Sequence, residues 1–168
     1  MATMIPADIE VFTTEGEKSF YRFLHAVAKP DQKYLCWYLP DINGREPDFL
    51  LYSEDVGLII FEVKDWRLDQ IVSADSQYFT LSIAGKVEKR QNPLHQARDY
   101  FHWVMDKIKE DAVLISKEPY AHGNVKIPVN CGIVFPNINK YEYEQKGLVQ
   151  IIPTEMIFFW DDLHPQSP

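Results

Sequence analysis

The run Leu58-Ile59-Ile60-Phe61-Glu62-Val63-Lys64 constrains the fold of this chain more than any other stretch. It is apolar at both parities as far as Phe61, the pattern of a strand covered on both faces, and it predicts a strand at the centre of a sheet. A second run, Asp48-Phe49-Leu50-Leu51-Tyr52, precedes it across the polar link Ser53-Glu54-Asp55-Val56-Gly57. By pattern the two form a β-hairpin. With the turn centred on Asp55, opposed residues lie equally far from it, which sets Asp48 across from Glu62. Alternation puts Glu62 and Lys64 on one face with Leu58 and Ile60. Facing carboxylates, with β-carbons roughly 4.5–5.5 Å apart, repel by up to about 1 kcal/mol even when exposed. A cation therefore has to accompany them. Lys64 can supply it as an ion pair at a strand end, or a divalent cation can. Hard carboxylate oxygens on a rigid sheet suit magnesium, which commonly takes one or two carboxylates and keeps several waters. The spacing leaves both readings open.

Helix and strand signals alternate along the rest of the chain. Thr13-Thr14-Glu15 offers a cap and early negative charge to a helix. Phe20, Phe23, Leu24 and Val27 then recur at helical spacing, predicting an amphipathic helix over 16–28 that Pro30 closes. Residues 34–39 are aromatic and apolar, a strand-like composition. Residues 65–91 are more polar and contain Tyr78-Phe79-Thr80-Leu81-Ser82-Ile83 and a Gly85 turn, read as a peripheral hairpin. Asn92-Pro93 supplies a cap and a proline at the first helical position. Leu94, Ala97, Phe101, Val104, Met105 and Ile108 form a stripe that carries the helix to about residue 110. Residues 125–135 and 148–152 read as further strands. The expectation is a single mixed α/β domain over 1–163, with 164–168, which holds two prolines, as the start of a linker to further domains.

Four short motifs then align with a known family. Gly16-Glu17-Lys18, Glu46-Pro47-Asp48-Phe49, Phe61-Glu62-Val63-Lys64-Asp65-Trp66 and Asn92-Pro93-Leu94-His95-Gln96-Ala97-Arg98 resemble, in order, those of the nuclease-related domain, a branch of the Pro-Asp…(Asp/Glu)-x-Lys nuclease superfamily. The resemblance implies a restriction-endonuclease-like fold: a mixed central sheet flanked by helices, with an α-β-β-β-α-β core. It also implies hydrolysis of a nucleic-acid phosphodiester with Mg2+ or Mn2+, DNA being favoured over RNA as the substrate. Asp48 and Glu62 match the metal ligands. Lys64 matches the lysine that orients the attacking water and offsets charge on the phosphorane-like transition state, and an electrostatic role suits it better than that of a free base. Glu17 matches an acidic residue that completes the metal cluster, although a first-turn glutamate also simply favours the helix dipole. Gln96 and Tyr100, one helical turn apart, match a Gln-x-x-x-Tyr pair in which the glutamine orients substrate or site and the tyrosine is read as a substrate contact; an ordinary helix flank is the alternative. The family is commonly joined to helicase or kinase-like regions.

Composition narrows the rivals. Seventeen lysines and arginines against 25 aspartates and glutamates give a net charge of −8. Such a chain holds a polyanion through a local site rather than its overall charge. Lys86, Lys89, Arg90 and Arg98 are the one compact basic patch, read as a solvated face or as substrate contacts. Cys36 and Cys131 stand alone without metal-ligand spacing and read as small apolar residues. His95 reads as solvated, and His25, His102, His122 and His164 show no metal-ligand spacing. GxxxxGK[ST], GxSxG and HExxH do not occur, which removes phosphate-loop ATPases, common serine hydrolases and zincins. No signal peptide or membrane span is evident, so a cytoplasmic setting is expected. The rival to an enzyme is an inactive nucleic-acid-binding or protein-interaction module that keeps the nuclease fold.

Overall fold

The computed structural model describes residues 2–30 and 33–164. In chain order the elements are β1 (Thr3–Ile5), α1 (Glu15–Val27), β2 (Tyr34–Tyr38), β3 (Phe49–Ser53), β4 (Gly57–Val63), β5 (Ile71–Ala74), β6 (Tyr78–Ile83), β7 (Lys86–Gln91), α2 (Pro93–Lys109), β8 (Val129–Phe135), α3 (Lys140–Gln145), β9 (Ile157–Phe159) and α4 (Trp160–Leu163). The main sheet runs β1-β2-β3-β4-β8-β9, and β5-β6-β7 make a second, smaller sheet. The strand pairs β2/β3 and β3/β4 are antiparallel, while β1/β2, β4/β8 and β8/β9 are parallel. The α-β-β-β-α-β order is present as α1-β2-β3-β4-α2-β8. As its composition requires, β4 lies in the interior of the sheet.

Alternation along the strands divides the core into two layers. On one face Phe20 and Leu24 of α1 pack with Phe49, Leu51, Phe61, Val63 and Val134. Phe20 meets Phe61 edge-on with ring centroids 4.9 Å apart, a favoured aromatic arrangement. On the other face α2 sets Val104 against Leu50 and Ile60, and Leu94 and Ala97 against Ile133 and Phe135. The small sheet adds Ile71, Phe79 and Leu81 to that second layer.

Both long helices begin as read. Thr14 accepts from the Glu17 N–H at 3.1 Å. Asn92 caps α2 by accepting from the Leu94 N–H at 2.9 Å. Three expectations are corrected. The peripheral hairpin has a third strand, β5, whose Ile71 is needed to bury Phe79 and Leu81. The strand expected over 125–135 begins only at Val129, because Pro128 has no N–H for the ladder. Residues 148–152 are not a strand: Leu148–Gln150 is a 3₁₀ turn, and the Ile151 and Ile152 N–H groups both donate to the Leu148 carbonyl. Pro153 stops it from extending. The outer strand of that edge is β9, an apolar run too short to register at period two. Cys36 is buried and Cys131 half-buried, both as free thiols. His95 is half-buried rather than solvated. No helix among the described residues is long and apolar enough to cross a membrane. Apart from His164, the expected linker over 164–168 lies outside the described residues.

Candidate active site

The hairpin register places the central pair. Phe49 faces Phe61 across β3 and β4, so the next step sets Asp48 across from Glu62. Asp48 is fastened at two points: its carbonyl accepts the Leu39 N–H at 2.9 Å, and its Oδ2 accepts the Val63 N–H at 2.6 Å. Glu62 is 2% exposed. Its Oε1 accepts from Lys64 Nζ at 2.6 Å, and Lys64 also donates to Gln96 Oε1 at 3.0 Å. Four of the residues named from the sequence, Asp48, Glu62, Lys64 and Gln96, therefore meet where β4 ends beneath the first turns of α2. Glu62 Oε2 is buried without a hydrogen-bond partner.

Burial, and then the neighbouring Glu62 carboxylate, push the Asp48 carboxyl up to about 7. Burial also raises Glu62, against the opposing pull of the Lys64 ammonium. Both shifts describe carboxylates withdrawn from water. Burial followed by the Glu62 charge likewise raises the Tyr100 phenol.

Two hollows flank Gln96, and both use it and Gln91 as walls. One, of about 510 Å³, is lined on its far side by Gly44, Arg45, Glu46, Asp99 and Tyr100. The other, of about 380 Å³, contains Lys64, Trp66, Ile83 and Arg90. Arg45 lies 5.7 Å from the Trp103 ring centroid, and Lys64 Nζ 5.9 Å from that of Trp66. Gln91 donates to Asp99 at 3.1 Å.

Of the remaining sequence candidates, Tyr100 and Arg90 line the two hollows, and Glu17, Lys89 and Arg98 line neither. Glu17 sits on α1, across the sheet, and both its oxygens are committed: Thr14 Oγ1 donates to Oε1 at 3.2 Å and the Tyr38 hydroxyl to Oε2 at 2.5 Å. Its charge reaches Asp48 and Glu62 only as the weakest cause of their shifts. Among the described residues no group of three or more His, Cys, Asp or Glu side chains has metal-holding geometry. Tyr100 donates to the Glu46 carbonyl at 3.2 Å, so it clamps the loop before Asp48 to α2. The basic patch is split. Arg90 lies opposite Phe79 and faces the cleft, whereas Lys89 lies opposite Thr80 on the outer face, with Nζ 4.0 Å from the Tyr78 ring centroid. Arg98 lines a separate hollow with Phe101, His102 and Cys131. Trp66, Gln91, Arg45 and Asp99 were not assigned site roles from sequence. For Trp66 a signal existed, since it continues the parity of Glu62 and Lys64; for the others only the fold brings them in.

The Gly16-Glu17-Lys18 motif has a packing reason. A β-carbon on Gly16 would lie 2.7 Å from both Asp65 Oδ1 and Pro136 Cγ. Only glycine lets the start of α1 approach the ends of β4 and β8 this closely.

The donor set fits a hard divalent cation. Asp48 and Glu62 offer only oxygens, they repel one another, and the orphaned Glu62 Oε2 lacks a positive partner.

The nuclease-related domain model matches residues 13–136 of the chain. The match contains all four motifs and the four residues that converge. No curated protein and no solved structure matches the chain.

Proposed function

We propose, from the premise that this chain belongs to the nuclease-related domain family, that it hydrolyses nucleic-acid phosphodiester bonds, DNA before RNA, in a reaction dependent on Mg2+ or Mn2+. The observation that carries the reading is the convergence of Asp48, Glu62, Lys64 and Gln96, of which Lys64 and Gln96 line a cleft, with one Glu62 oxygen unpartnered. Asp48 and Glu62 would hold the ion, which when bound polarises phosphate and acidifies water. The Lys64 ammonium is held at two points, by Glu62 and by Gln96, and so is positioned in advance to meet negative charge developing on the phosphoryl group. Gln96 acts through Lys64 and is a positioning residue. Arg90, on the cleft side of β7 and paired there with Glu88, would hold a flanking phosphate. Glu17, with Thr14 and Tyr38 on its oxygens, has the role of fixing α1 against β2.

A second reading, a module that holds nucleic acid without cutting it, is favoured by one observation: the third acidic residue, Glu17, is tied up away from the pair. A cleavage assay separates the two. Single- and double-stranded DNA and RNA are incubated with the chain in Mg2+, Mn2+ or EDTA, beside Asp48→Ala, Glu62→Ala and Lys64→Ala variants of intact fold. Metal-dependent products that each substitution removes are expected. Binding without products under all conditions, or products undiminished by the substitutions, would overturn the assignment.

A further inference from the structure

We propose that Trp66 is a platform on which an unpaired nucleobase stacks beside the reacting phosphate, so that this site takes single-stranded or frayed nucleic acid rather than intact duplex; the proposal rests on the nuclease reading and deepens it. Trp66 follows Lys64 by two residues and shares its cleft with Lys64, Arg90 and Gln96. Its indole is already fixed. Its ring centroid lies 5.5 Å from that of Phe79 and 6.1 Å from that of Phe135, and both phenylalanines are fully buried. A half-buried tryptophan rooted in the core and open to a cleft loses little freedom when a flat group settles on it. Two cations, Lys64, which is paired with Glu62, and Arg90, which is paired with Glu88, stand in the same cleft beside the adjoining phosphates. Aromatic rings that stack bases beside a positively charged track are how proteins hold single strands, and such stacking tolerates any base because every base has a π-face.

Two features disfavour a duplex. A hollow of about 380 Å³ lies near the lower end of the size range of small-ligand pockets, enough for one nucleotide unit. On the other side of Gln96, the larger hollow presents Glu46 and Asp99 against a single Arg45. A second phosphate backbone crossing there would meet an excess of negative charge.

The test measures binding and cutting separately. Anisotropy of a labelled single-stranded oligonucleotide, in EDTA and in Ca2+, is compared with that of its duplex and of the same backbone carrying abasic residues, for the full chain and for Trp66→Ala and Trp66→Phe. The wild-type chain should prefer the base-bearing single strand over the abasic one by about 5- to 150-fold, the range expected of one stacked base. Trp66→Ala should lose that preference and Trp66→Phe should keep most of it. In Mg2+, single strand should also be cut faster than duplex. A preference that survives Trp66→Ala intact, or wild-type binding of duplex equal to that of single strand, would overturn the proposal. If Trp66→Ala does not fold, the wild-type single-strand to duplex ratio decides alone. Absence of Mg2+-dependent cleavage refutes the nuclease reading and not the stacking, which the anisotropy judges by itself.

Discussion

Glu62 and Asp48 carry the electrostatic tension of the site, and it should be measurable without any substrate. The folded chain holds the Asp48 proton up to about pH 7, against an ordinary value of 3.8, because the group is buried beside Glu62. Between those values the folded state binds more protons than the unfolded state, so stability contributed by this group falls as pH rises from about 4 to 7 and then levels off. Asp48→Asn should flatten that fall. At pH 8 without metal it should stabilise the chain by about 1 kcal/mol, equivalent to a Tm higher by about 2–4 °C; thermal unfolding across a pH series checks both. A variant less stable than wild type at pH 8 would mean that the charge assistance of the Asp48 bond to the Val63 N–H, which asparagine keeps only as a neutral bond, outweighs the repulsion. Gln96 acts at the same scale through one hydrogen bond to Lys64. Gln96→Ala should slow cleavage by about 10- to 100-fold, the penalty of a misplaced catalytic group, with KM nearly unchanged; steady-state kinetics separates this from a binding defect.

At the scale of elements, the site depends on how α2 is seated. Asn92, 1% exposed, caps the helix and also donates to the Asp75 and Ser76 carbonyls of the β5–β6 link. It thereby joins the small sheet to the helix that presents Gln96. Asn92→Ala should destabilise the chain by about 0.5–2 kcal/mol, chiefly from the lost cap, read as a lower urea midpoint. Gly16→Ala should cost about as much through overpacking against Asp65 and Pro136. Elements were legible in the sequence where the signal was local. The Asp48–Glu62 register follows from period two and one turn, and both helix starts follow from their caps. The split between Lys89 and Arg90 was equally legible, because neighbours in a strand point to opposite faces. Other features were not. Glu17 is claimed by Tyr38, which only the pairing of β2 with β3 brings near it. Residues 148–152 form an apolar run as short as a strand or a turn, and Pro153 rather than periodicity decides between them. Trp66 becomes a fixed surface only through Phe79 and Phe135, from two different sheets.

The whole molecule, at a net charge of −8, repels its proposed substrate. With Lys89 and Arg98 turned away from the cleft, about two to four phosphate contacts remain. The slope of log affinity against log salt on single strand should then be shallow, between about −1.4 and −2.8, and Ca2+ should tighten binding relative to EDTA by offsetting the Asp48 and Glu62 charges. A salt series by anisotropy reads both, and a steep slope unaltered by Ca2+ would point to a broad basic surface that the described residues do not contain. The Glu62 carboxylate, buried with one oxygen unpartnered, is proposed as part of a phosphodiester-cleaving centre. The cleavage rate of Glu62→Gln relative to wild type on one labelled single-stranded DNA in Mg2+ tests that role, with a cooperative thermal transition confirming the fold. The substitution keeps the shape of the side chain and removes its charge. A fall of at least about 100-fold is expected, and a rate equal to wild type would exclude Glu62 from the chemistry.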